Sequence, residues 1–211
     1  MKQNWQKVPK IKEPKWRNGY RDITLYAVNL GERFRVFPYD ENGELDPEAV
    51  TKIEQALADK DTRAVHAVHP RLIKLLYKLA VRFDARQINV ISGYREESEG
   101  SESHHANGTA VDFMIPGVKL AALAKVARRL GHVGVGYYPT SGFIHLDVRE
   151  KRSYFWVDPS GPGKHSCIRQ IMKNHGPKFD RQWKPDMDEP EQKKNRKGEV
   201  LDSSQKSTKK S

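Results

Sequence analysis

Along residues 70–84, Leu72, Leu75, Leu76, Leu79 and Phe83 recur at intervals of three and four, the spacing that gathers apolar side chains on one face of a helix. The period then shortens. In "QINVISG" (87–93), "AVDFMI" (110–115) and "FIHLDV" (143–148) side chains alternate by two, as they do in strands. Between the last two, residues 118–130 return to helical spacing with Leu120, Leu123, Ala127 and Leu130, and Gly131 stands at a C-cap position. Upstream, "ERFRVFPYDENGELDPEAV" predicts two short strands around an Asn42-Gly43 turn. Asp46 and Pro47 then serve as N-cap and first position of a helix over 47–58. Helices and strands mix without strict βαβ alternation, so the pattern predicts an α+β domain: a mainly antiparallel central sheet with flanking helices.

The ends of the chain break the pattern. Residues 1–22 are Lys-rich, interrupted by Pro9 and Pro14, with Trp5 and Trp16 as the large anchors, and read as an extended basic arm. From residue 178 the chain is mixed-charge and Ser/Lys-rich, the composition of a disordered tail over 178–211. One domain, residues 23–177, is left between them. No apolar run reaches the roughly eighteen residues that a membrane span needs, and the N-terminal stretch lacks the apolar core of a secretory signal. The formal net charge of +11 favours anionic partners, among them nucleic acid, acidic membrane surfaces and acidic wall polymers. The lysines of the tail would bind nucleic acid only non-specifically and salt-sensitively. A single cysteine, Cys167, excludes an intrachain disulfide and a Cys-rich zinc cluster.

Candidate chemistry lies in the strands. Alternation puts Ile144, Leu146 and Val148 on one face of "FIHLDVR", and Phe143, His145, Asp147 and Arg149 on the other. In "AVDFMI" it sets Val111, Phe113 and Ile115 against Ala110, Asp112 and Met114. His105, Asp112 and His145 would supply two imidazoles and a carboxylate, a three-ligand set that leaves a catalytic zinc one open position. Gly108, between the first two, permits a tight turn or a close approach of backbone to metal. The remaining histidines, His66, His69, His132, His165 and His175, read as core or surface residues, with His69-Pro70 at the start of a helix.

Three motifs in order make the picture specific. "ISGYR" (91–95), "SHHANGTAVD" (103–112) and "GVGYYPTSGFIHLDVR" (134–149) fit SGYR, SxHxxGxAxD and GVGxYP…HxDxR. In this the chain resembles the M15 zinc peptidases of peptidoglycan, in the YcbK-like (DUF882) branch, and the likeness extends over roughly residues 25–165. The resemblance implies a hedgehog/D-Ala-D-Ala peptidase-type fold. It also implies Zn2+ held by His105, Asp112 and His145, with His104 on a variable position and not a ligand. By the same likeness Arg95 holds a substrate carboxylate or the developing oxyanion and Ser103 shapes the ligand loop. Tyr137 and Tyr138 read as residues that line the cleft or pack as strand aromatics, and Tyr138 is taken as the substrate contact.

The implied activity is hydrolysis of amide bonds in peptidoglycan stem peptides or cross-links, as an endopeptidase or a carboxypeptidase, by a zinc-activated water. Several M15 branches carry the general base two or three residues before the second ligand histidine, where this chain has Phe143 and Gly142. Asp147, on the face of His145 and roughly 7 Å along the strand, takes that role, with Glu97, Glu99 and Glu102 as further candidates. The alternative for Asp147 is a carboxylate that orients a ligand histidine. The competing class is a zinc-containing wall-binding module without turnover. A periplasmic or wall-side location and a monomer are the corresponding expectations.

Overall fold

Strand and helix form where period and capping residues agree. The computed structural model describes residues 13–96, 103–164, 166, 168, 170–171 and 176–204. Two short strands, β1 (Trp16–Arg17) and β2 (Tyr20–Arg21), form a hairpin about Asn18-Gly19. β3 (Ile23–Ala27) and β4 (Glu32–Val36) follow as an antiparallel pair. The α1 helix (Pro47–Ala56) starts as its sequence dictates: Asp46 Oδ1 accepts the Ala49 N–H at 2.8 Å and Pro47 fills a first-turn position whose N–H would be unpaired. The α2 helix (Pro70–Arg82) is capped by His69, whose Nδ1 accepts the Arg71 N–H at 3.2 Å. Then come β5 (Gln87–Ser92), β6 (Ala110–Met114), α3 (Leu120–Ala127), β7 (Val133–Tyr138), β8 (Phe143–Val148), β9 (Tyr154–Val157), β10 (Gln170–Ile171) and α4 (Gly176–Gln182).

Eight strands form one sheet in the order β10-β9-β7-β8-β6-β5-β3-β4. The sheet is mixed rather than uniformly antiparallel: β3 pairs with β5, and β7 with β9, in parallel. Both exceptions follow from connectivity. The chain between β3 and β5 passes through β4 and two helices before it returns to the sheet. β9, leaving β8, skips across β7 and so runs in the direction of β7. Leu25, Ile88, Val111, Phe113, Ile144, Leu146, Val133 and Val135 join Leu72, Leu75, Leu76 and Leu79 of α2 and Leu123 of α3 in one core. The opposite face of β6 and β8 is free for polar chemistry, as alternation predicted.

Two local expectations change. Asn42-Gly43 closes a loop held by a single bridge, Tyr39 to Leu45, because Glu32–Val36 pairs with β3 instead. The helices over 47–58 and 118–130 stop at Ala56 and Ala127. Residues 178–204 make specific contacts with the rest of the domain. Asp180 accepts hydrogen bonds from the N–H of His132 and Ser153, and Asp188 accepts from Arg71 Nε at 2.7 Å and Trp183 Nε1 at 2.9 Å. Main-chain bonds join Gly19 N to Leu201 O and Ser203 N to Trp16 O, both at 2.8 Å. The segment is poor in apolar residues, as its composition says, and docks through ion pairs and hydrogen bonds. The basic arm is described only from residue 13, where it forms the β1–β2 hairpin; Trp5 and Pro9 lie outside the described residues.

The Arg71–Asp188 pair is largely buried, with side chains 14% and 5% exposed, and a buried guanidinium that loses its carboxylate is costly. Asp188→Ala is expected to lower stability by about 3 kcal/mol, read in urea denaturation as a lower midpoint with an unchanged slope. An unchanged midpoint would show that the C-terminal segment contributes nothing to the domain.

Candidate metal centre

Register builds the site. Across β6, β8, β7 and β9, Asp112 lies beside His145, His145 beside Gly136, and Gly136 beside Trp156. In the next row Ala110, Asp147, Gly134 and Tyr154 are neighbours. All lie on the sheet face away from the helices. The two glycines of β7 leave room for their neighbours' side chains: a Cβ on Gly134 would stand 2.0 Å from Asp147 Oδ2, and one on Gly136 would stand 2.5 Å from the Trp156 ring. Trp156 thus leans toward His145, with ring centroids 5.1 Å apart.

His105 reaches the same point from the turn before β6. Its Nδ1–H donates to the Gly93 carbonyl at 2.6 Å, which leaves the Nε2 lone pair facing inward. His145 Nε2 meets Asp147 Oδ2 at 3.0 Å, so His145 Nδ1 faces His105 Nε2 at 3.2 Å and Asp112 Oδ1 at 2.9 Å. Asp112 is braced in turn by Arg95 Nη2, which donates to its Oδ2 at 2.7 Å. Two imidazole nitrogens and a carboxylate oxygen, all buried, converge within 4.8 Å of one another. Such a convergence needs a cation between its members. A proton on His145 is one; a divalent metal held by all three is the other, and each ligand already has the outer hydrogen bond that metal ligands need.

The electrostatics agree. Burial works to raise the Asp112 pKa, but the His105 and His145 imidazoles hold it well below the usual carboxylate range. For His145 burial works downward, and its hydrogen bonds to Asp112 and Asp147 overcome it, lifting the pKa to about 9.

Asp147 stands behind His145 in the next row of the sheet. It is fully buried, on the far side of the His145 ring from Nδ1. Its Oδ1 accepts from Arg149 Nε at 2.6 Å and Gly134 N at 3.1 Å, and its Oδ2 accepts from Arg149 Nη2 at 2.9 Å. Burial would raise its pKa, but His145 and Arg149 bring it down to about 2.

The trio opens on a cavity of about 370 Å³, lined also by Arg95, Tyr138, Phe143, Trp156, Asp158 and residues 160–164 and 166. Tyr138 therefore faces the cavity, its hydroxyl accepting from Trp156 Nε1 at 3.1 Å, while Tyr137 packs on the core. Ser103 opens the ligand turn, its carbonyl accepting the Asn107 N–H at 3.2 Å. His104 stays outside the trio, with Nδ1 on Thr109 Oγ1 at 3.1 Å and a pKa lowered chiefly by burial. Gly108, with φ +63°, is required by a neighbour other than a metal: a Cβ there would meet the Ala67 carbonyl oxygen at 2.1 Å. His66 stacks on Tyr94 and His132 meets Trp183 edge-on. Glu97, Glu99, Glu102, His165, Cys167 and His175 lie outside the described residues. Trp156 and the glycines Gly134 and Gly136 were not singled out from the sequence; the GVG spacing at 134–136, small residues at alternate strand positions, is the signal that could have found the two glycines.

A three-ligand centre of two imidazoles and a carboxylate, set beside an open cavity, is that of a metal-dependent hydrolase. The profile of the M15 peptidase family described as peptidoglycan L,D-endopeptidase MepK matches residues 16–154, and the chain belongs to that family. The probable peptidoglycan L,D-endopeptidase MepK of Haemophilus influenzae is 33% identical over 153 residues, 64% of this chain and 78% of the relative. Peptidoglycan L,D-endopeptidase MepK of Escherichia coli K12 is 30% identical over 146 residues, 64% of this chain and 80% of the relative. No solved structure matches the chain.

Metal uptake must displace the His145 proton, which is held up to about 9. Apparent zinc affinity is therefore expected to weaken about tenfold for each pH unit below that value, measured by competition with a chromophoric chelator at several pH values; a flat profile would show that no proton on His145 is displaced. Gly134→Ala, which crowds Asp147, is expected to weaken zinc about 10- to 100-fold in the same assay.

Proposed function

We propose that the protein is a zinc-dependent peptidoglycan hydrolase that cleaves amide bonds in stem peptides or their cross-links; its relatives are named peptidoglycan L,D-endopeptidases. The observation that carries this reading is the convergence of His105, Asp112 and His145, each braced from outside, beside an open cavity. A zinc ion held by the three would supply Lewis-acid polarisation of the scissile carbonyl and activation of water. The reading includes a hedgehog/D-Ala-D-Ala peptidase-type arrangement of the α+β fold and a periplasmic or wall-side place of action. Among the described residues no helix is long and apolar enough to cross a membrane.

The chain's own groups divide the work. His105 and His145 present fixed tautomers toward the centre, set by Gly93 and Asp147. Arg95 holds Asp112 with Nη2 and Ser92 Oγ with Nε, and its half-exposed remainder lies at the cavity, where a guanidinium can receive the charge that develops on the carbonyl oxygen. Tyr138 and Phe143, stacked with centroids 4.6 Å apart, form an aromatic wall for the substrate. In this reading Asp147 orients His145 and is not the proton acceptor, because its oxygens are already met by three donors besides His145.

Cross-linked muropeptides incubated with the protein are expected to split into monomers with uptake of one water, seen by mass spectrometry and abolished by a chelator. Stoichiometric metal without cleavage would instead assign a wall-binding module. Asp147→Asn separates the two roles of that residue: an orienting carboxylate predicts metal affinity weakened about 10- to 100-fold, with activity recovered in excess zinc. A general base predicts intact metal affinity and activity that zinc does not restore.

A further inference from the structure

The cavity beside the trio holds a cation that nothing above employs. Its far wall is the loop that follows β9, and that loop is pinned at its base. Asp158 N donates to Tyr137 O at 2.9 Å, the Asp158 carboxylate accepts from Ser160 N at 2.9 Å and Ser166 Oγ at 2.6 Å, and Ser141 Oγ donates to Ser160 O at 3.0 Å. The tip, Gly161-Pro162-Gly163-Lys164, closes on itself through Lys164 N to Gly161 O at 3.1 Å. Lys164 thereby lines the cavity that also contains His105, Asp112 and His145.

A census of the charges lining this cavity isolates Lys164. Asp112 is met by Arg95 and both imidazoles, and Asp158 is the anchor of the loop. Arg95, the cation expected to hold a substrate carboxylate, has Nη2 on Asp112 and Nε on Ser92. Among the described residues the Lys164 side chain is exposed and forms no ion pair. An ammonium on a flexible stem tolerates variation in where its anion sits, unlike a guanidinium fixed in a fork.

We propose that Lys164 is the specificity residue of this cavity, recognising a free carboxylate of the substrate peptide while Arg95 stays with Asp112. The inference rests on the peptidase reading for its substrate class. Stem peptides offer such carboxylates, and amidation removes the charge without removing the bond to be cut.

The test compares one cross-linked muropeptide in free-carboxylate and amidated forms, on the full chain loaded with zinc. Lys164→Ala is expected to raise KM for the free-carboxylate form about five- to tenfold with kcat within about twofold. KM for the amidated form should be unchanged, and Lys164→Arg should recover most of the loss. An equal loss on both forms, or no change on either, overturns the inference. Isothermal titration of uncross-linked stem tetrapeptides, free and amidated, reads the same preference without turnover. If the wild-type chain prefers the free acid and Lys164→Ala does not, the carboxylate site stands even where no cleavage occurs, and only the peptidase reading fails. If titration shows no preference in the wild-type chain, the Lys164 assignment fails whatever the cleavage assay gives.

Discussion

A buried carboxylate fixes the centre. Asp147 has no access to solvent, and an ionised group in such a place survives only when its lone pairs are met. Here they are met by Arg149 from one side, the Gly134 amide from a second and His145 from a third. The arrangement leaves the imidazole one orientation. That orientation decides which nitrogen faces Asp112 and His105, and with it whether three donors converge or merely lie near one another. The absence of a side chain at Gly134 is thus as much part of the centre as the ligands are.

The sheet divides labour between its faces. Aliphatic residues of β6, β7 and β8 meet the helices on one side, and the alternate positions of β6 and β8 bear Asp112, His145 and Asp147 on the other. A shift of one residue in the β6–β8 register would exchange the two sets, so packing of the apolar face holds the polar face in place. The irregular register between Val90 and Ser92 at the β5 edge falls where Ser92 and Arg95 reach the site. Such irregularities re-aim side chains beside functional groups.

Much of this was legible because it rests on local rules. Period alone located α2, β5, β6 and β8, and Asp46-Pro47 and His69-Pro70 marked helix starts. His105, Asp112 and His145 came from residue type, strand face and motif order, and the structure brings all three together. The role of Asp147 was harder. Alternation says which face a residue shares but not which side of a neighbouring ring it occupies, and that depends on Arg149 and on the neighbouring strand's Gly134. Gly108 was read as permitting a tight turn or a close approach of backbone to metal; it does lie in a turn, with φ +63°, and the backbone that approaches it is the Ala67 carbonyl, some forty positions away in sequence. Trp156 gave no signal because an aromatic residue in a strand is ordinarily packing; only the cross-strand row through Gly136 brings it to His145. Composition measures apolar burial and gives no sign of how the C-terminal segment attaches, by Asp180, Asp188 and backbone pairing.

That attachment bears on the order in which the molecule assembles. The bond from Trp16 N to Ser203 Oγ joins residues 187 positions apart. In a random chain such a closure is entropically remote, and its cost grows with the logarithm of the loop. Once the sheet has formed and Arg71 has captured Asp188, the remaining slack is only the short stretch between Asp188 and Ser203. The suture of the β1–β2 hairpin to the C-terminal segment therefore closes a short loop, not a long one, once the sheet and the Arg71–Asp188 pair are in place.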